Sequence, residues 1–178
     1  MPIELSVLIT RYTWLTPAVL ELAEKDLVQR REFTRILGIE IGKDLARSIL
    51  WTLSKLGLVE KIDEGIYKVT DLLKIRASQL RQHVVNMHKH RLLLRFGNLY
   101  YVVTIRREKI TVRKVEVDVV NKIEDLLRNS EKTIKEIVDS TGLKTDKVTT
   151  ALRVLELYNK IEKVIDNEKV KYRIKVSH

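Results

Sequence analysis

The chain has 178 residues, 44% of them hydrophobic, with 34 Lys and Arg against 24 Asp and Glu, a formal net charge of +10. That is enough apolar material for one domain or two small ones, and the charge imbalance points to a polyanionic partner. The lack of cysteine excludes disulfides, thiol nucleophiles, iron-sulfur clusters and thiolate zinc sites.

Residues 1–70 are expected to form a first domain. Ile3, Leu5, Val7 and Ile9 alternate as in a strand, and Thr16-Pro17 suits the start of a helix marked by Leu20, Leu27 and Val28. Phe33, Ile36 and Leu37 predict a short second helix that Gly38 ends. A third runs from about Lys43 to Leu56, with Leu45, Ile49, Leu53 and Leu56 as its apolar stripe and Gly57 as its stop. Leu58 to Ile62 and Ile66 to Thr70 then read as a hairpin about Asp63-Glu64-Gly65.

Residues 71–117 are expected to link two domains. Leu73, Ala77, Leu80, Val84, Met87 and Leu94 repeat in heptad fashion, predicting one long helix from Asp71 to Phe96. A hairpin, Leu99 to Ile105 and Ile110 to Val117, follows about Arg106-Arg107-Glu108-Lys109. Eleven basic side chains face three acidic ones in residues 70–117, so +8 of the +10 lies there. Residues 118–178 repeat the order of the first domain: Ile123, Leu126 and Leu127 in one helix, Ile134, Ile137 and Val138 in a short second, Val148, Leu152 and Leu155 in a third, then a hairpin turning at Asp166-Asn167.

Three helices and a two-stranded hairpin, carried by LARSILWTLSKLGLVEKIDEGIYKVT and again by VTTALRVLELYNKIEKVIDNEKVKYRIKV, resemble the winged helix-turn-helix family. The resemblance implies an α+β protein with two winged-helix domains, joined by the long helix and the basic hairpin. It also implies that the third helix enters the major groove of double-stranded DNA while the wing meets the backbone. Lys43, Arg47, Ser48 and Lys55 lie opposite the apolar stripe of the first copy, and Lys147, Thr149, Thr150 and Arg153 are their counterparts in the second. Lys169, Lys171 and Arg173 alternate with apolar residues along the last strand, a cationic face for phosphates or an ordinary solvated one. Arg106, Arg107 and Lys109 are placed to follow a duplex backbone. Trp51 is expected to pack against the long helix or a partner subunit, and Leu73, Leu80, Val84 and Met87 to form a homodimer seam.

The expected function is sequence-specific binding of duplex DNA in transcription control, in a cytoplasmic, nucleoid-associated protein without a membrane segment or a small-molecule substrate. Tandem wings on a composition that leans toward thermophile proteins also resemble the archaeal winged-helix replication initiators. A protein-binding adaptor, similar in architecture to condensin accessory or membrane-sorting subunits, is the alternative that Trp51, Val154 and Leu157 favour on the presumed reading faces. No catalysis, cofactor or metal is expected. Gly38 to Lys43 falls one residue short of a phosphate-binding loop and is followed by Asp44, while His83, His88 and His90 are too far apart on a helix to share an ion.

Overall fold

The computed structural model describes residues 1–176 as an α+β chain that divides into two compact units. The first takes in residues 1–84, 89–92 and 103–112, and the second residues 85–88, 93–102 and 113 onward.

The first unit opens with α1 (Leu5–Arg11), a 3-10 turn (Thr13–Leu15) and α2 (Thr16–Leu22). The strand expected at Ile3 to Ile9 is thus a helix. Leu8 and Ile9 are adjacent and both fully buried, which breaks the alternation a strand requires but fits one helical face with Leu5. After β1 (Leu27–Gln29), the short helix expected around Phe33 is instead a 3-10 turn (Arg30–Glu32) and a miniature hairpin, β2 (Arg35–Ile36) and β3 (Ile39–Glu40). Leu37 and Gly38 both have left-handed backbones (φ 49° and 84°), the signature of a two-residue hairpin turn that no right-handed helix contains.

The third helix, α3 (Lys43–Lys55), forms as its apolar stripe predicts, with Leu45, Ala46, Ile49, Leu50 and Leu53 buried. Gly57 (φ 75°) ends it: the Gly57 and Leu58 N–H groups donate to the carbonyls of Ser54 and Leu53. β4 (Val59–Asp63) and β5 (Ile66–Val69) complete an antiparallel sheet in the order β1-β5-β4.

The expected long helix stops early. α4 (Asp71–Arg81), capped by the Thr70 hydroxyl, is followed by β6 (Val84–His88) and β7 (Arg91–Phe96). Val84-Val85 favours strand, and Lys89 (φ 54°) makes the turn between them. β8 (Leu99–Ile105) and β9 (Ile110–Glu116) match the expected hairpin and complete a four-stranded sheet, β6-β7-β8-β9. The homodimer seam fails for the same reason. Leu73 and Leu80 are fully buried in their own chain, and Val84 and Met87 are half-buried residues of a strand.

The second unit contains α5 (Val117–Asn129), α6 (Ile134–Thr141), α7 (Thr145–Leu157) and the antiparallel pair β10 (Ile161–Asp166) and β11 (Lys169–Ile174). Lys132 bridges to Tyr172 as a single-residue third strand. One core joins Val120, Ile123 and Leu127 of α5, Ile137 of α6 and the buried side of α7 to Leu93, Tyr100 and Val102 of the sheet. Thr133 begins α6 with a capping box: its hydroxyl accepts from the Glu136 N–H, and the Glu136 carboxylate accepts from the Thr133 N–H. Thr133→Ala should lower stability by about 1 kcal/mol in a urea titration at neutral pH. The hydrogen bond from the Thr133 N–H, then that from its hydroxyl, hold the Glu136 carboxyl below the ordinary range. Its contribution is therefore complete above that range and lost as pH falls through the lowered value.

Among the described residues no helix is long and apolar enough to cross a membrane. Nor do three His, Asp or Glu side chains converge to hold a metal ion. The helical spacing argument for His83, His88 and His90 lapses, because that stretch is turn and strand.

Candidate nucleic-acid interface

Helix α3 buries one side completely and leaves Lys43, Asp44, Arg47, Ser48, Trp51 and Lys55 exposed on the other. Ser54 is only half-exposed. Trp51 is 58% exposed and does not pack into a helix as expected; the Lys55 ammonium lies 4.0 Å from its ring centroid. That cation-π contact uses Lys55 within the helix and orients the indole outward. Between the helix positions i and i+4, Arg47 and Trp51 share one ridge.

The amino end of α3 gathers cations from three separate stretches of sequence. Gly42, its N-cap, donates its N–H to the Arg107 carbonyl at 2.7 Å, and Arg107 pairs with Glu40 through its guanidinium. These contacts dock the four-residue turn 106–109, closed by an Arg106 N–H to Lys109 carbonyl bond of 2.9 Å, against the start of the helix. Arg106 and Lys109, both exposed, ride on that turn, while Arg107 acts as its fastener. The second contribution is Arg30 and Arg31 on the 3-10 turn, which sequence reading misses. Their turn is fixed by the Arg30 N–H donating to the Gly65 carbonyl at 2.8 Å and by the buried Phe33. The third is α3 itself, through Lys43 and Arg47. Among the described residues no carboxylate pairs with Arg30, Arg31, Lys43 or Arg47.

The cations of α4 are occupied. On α4, Lys74 meets Asp26 at 2.6 Å, Arg81 meets Glu24 at 2.9 Å, and Arg76 donates to the Ile3 carbonyl. The hydrogen bond from Lys74 holds the Asp26 carboxyl below its ordinary range. The positive charge assigned to residues 70–117 is therefore unevenly available: Arg106 and Lys109 on the turn are exposed and unpaired among the described residues, as are Lys89, Arg113 and Lys114 on the strands and turn of the sheet.

The second unit differs from the first at the same positions. Lys147 donates to both oxygens of Glu116 at 2.7 and 2.9 Å. Thr150 is not a contact residue: it is 4% exposed and its hydroxyl is bonded to the Asp146 carbonyl. Thr149 is exposed and Arg153 half-buried. Val154 and Leu157 lie in the core, so they lend nothing to a docking face. The error is one of rotation, because α7 packs against both α5 and α6 and its buried side is wider than the local period reveals. On β11, Arg173 pairs with Glu162 at 2.9 Å and Lys171 with Asp166 at 3.3 Å, while Lys169 is exposed. Its cationic face is thus mostly neutralised across the hairpin. Beside it Ile165 and Val170, cross-strand neighbours, are 80% and 46% exposed.

No protein-family model, curated protein or solved structure matches the chain.

Proposed function

We propose that the chain binds double-stranded DNA, with the exposed side of α3 as its reading surface, and that its two units are winged-helix domains. What supports the fold reading is the order of elements. In the second unit it is helix, bridging strand, two helices and hairpin; in the first it is α2, β1, α3 and the β4-β5 hairpin, with the miniature β2-β3 hairpin standing where the family has a helix. The single observation that carries the functional reading is the convergence of the unpaired cations Arg30, Arg31, Lys43 and Arg47 about the amino end of one exposed helix face, with the turn bearing Arg106 and Lys109 bonded to its N-cap. A polyanion with phosphates a few ångströms apart is the ligand that such a cluster fits. Site-specific occupancy of duplex DNA in transcription control is the job proposed, and origin binding would use the same chemistry.

The first unit is the reading head in this proposal. Trp51 gives the experiment: its exposed indole should change emission when duplex DNA covers α3, and the change should disappear in Trp51→Phe, which leaves only Trp14. An identical response in Trp51→Phe would place the duplex elsewhere. A protein-binding role for the second unit is the reading that the exposed Ile165 and Val170 pair favours.

A further inference from the structure

We propose that the cavity beside the start of α3 binds a phosphate group, and that the Glu108 carboxylate, held beside Gly42 of its wall, opposes that binding. The cavity measures about 330 Å³ and is lined by Arg30, Arg31, Lys43 and Arg47 over Phe33 and Ile41. Phe33 and Ile41 are 2% and 4% exposed, so its floor belongs to the core and keeps its shape. Four cations about one cavity repel each other, and an anion there relieves all four at once. A phosphate is the fitting anion, because its several oxygens accept from more than one guanidinium fork simultaneously. Asp44, which argues against a phosphate loop in the sequence, is exposed on α3 and is not part of the cavity wall.

Glu108 reaches this place from 66 residues away in sequence. Its carboxylate oxygens lie 3.0 and 3.1 Å from where a Cβ on Gly42 would stand, and Gly42 is part of the cavity wall. A Cβ at residue 42 would crowd the carboxylate, which would have to give by a few tenths of an ångström. The docking of the turn 106–109 holds the carboxylate there, and the Arg107 Nε, 3.3 Å away, steadies it. The same turn thus sets one negative charge, Glu108, beside Gly42 of the cavity wall, between the exposed cations Arg106 and Lys109 in sequence. The Glu108 side chain is 68% exposed, so solvent is open to it when a phosphate arrives.

The phosphate has two possible sources, the duplex backbone or a free phosphorylated molecule. In its duplex form the inference rests on the DNA reading above; the phosphate site itself does not. The test titrates the full chain with sodium pyrophosphate by calorimetry and with random duplex by fluorescence anisotropy. The variants are Arg31→Ala, Glu108→Gln and, as a control for lost negative charge elsewhere, the exposed Glu60→Gln. Circular dichroism melts establish that each is folded.

Glu108→Gln should tighten pyrophosphate by roughly two- to fivefold, the size of one partly exposed charge interaction. Glu60→Gln should leave it nearly unchanged, and Arg31→Ala should abolish measurable heat. If the backbone is the source, duplex affinity follows the same order and pyrophosphate displaces the duplex. If a free molecule is the source, pyrophosphate follows that order while duplex affinity does not. Pyrophosphate binding by a wild-type chain that ignores duplex would keep the site and end the DNA reading. Duplex binding with no pyrophosphate heat, or with Glu108→Gln behaving as Glu60→Gln toward both ligands, would end the proposal and leave the DNA reading standing.

Discussion

Replacing Lys43 and Arg47 together by alanine is expected to weaken binding to duplex DNA by on the order of 10- to 100-fold near 0.1 M salt, because a phosphate that no cation neutralises keeps its condensed counterions and their release no longer favours binding. Both side chains are exposed and unpaired, and Ala is the best helix former, so the helix that presents them stays intact. The two basic side chains of α7, Lys147 and Arg153, should cost far less when replaced. Lys147 is already neutralised by Glu116, whose carboxyl its hydrogen bond holds below the ordinary range. Removing Arg106 should weaken preferred and random duplex alike and lower the slope of log affinity against log salt by about 1. Anisotropy on both kinds of duplex decides this. Equal losses from the two units would mean that α3 has no special place.

The second large effect is on stability. Phe33→Ala should destabilise the protein by about 3–5 kcal/mol in a urea titration, since a side chain 2% exposed leaves a hole the core cannot close. That is a large part of the 5–15 kcal/mol that typically separates folded from unfolded domains. Phe33 also carries the Arg30–Glu32 turn, through its N–H donating to the Gln29 and Arg30 carbonyls, and floors the cationic cavity. Duplex affinity should therefore drop even at temperatures where the variant remains folded. A loss below about 1 kcal/mol would show that this ring is dispensable and that the turn bearing Arg30 and Arg31 is held by something else.

Parts of this arrangement are legible in the sequence for a definite reason. Leu45, Ile49 and Leu53 repeat at helical spacing between Gly42 and Gly57, and that alone fixes which side of α3 faces out and puts Lys43 and Arg47 on it. The β8-β9 hairpin is equally plain, an apolar run on either side of Arg106 to Lys109. The heptad pattern from Leu73 to Leu94 misleads because apolar residues continue from α4 into the strands after it, and only Val84-Val85 and the turn at Lys89 separate them. Arg30 and Arg31 carry no local sign of function. Their place depends on a 3-10 turn, on a backbone bond to Gly65, and on a helix that begins twelve residues later. The meeting of Gly42 with Arg107 and Glu108 is a long-range contact whose only trace in the sequence is a glycine where a capping side chain would be usual. Thr150 shows the opposite failing: a polar residue at an outward position on the wheel becomes buried when a helix packs against more than one neighbour.

The most direct measurement is fluorescence anisotropy of a labelled random duplex titrated with the full chain at about 50 and 200 mM salt. Four cations line the cavity at the start of α3, namely Arg30, Arg31, Lys43 and Arg47, and two more, Arg106 and Lys109, are exposed on the turn whose backbone bonds to Gly42. If they engage phosphates, affinity should fall by roughly 10³ between the two conditions. Absence of binding at the lower salt, or binding that salt leaves unchanged, would contradict the account and give first place to a protein partner on the apolar Ile165 and Val170 pair.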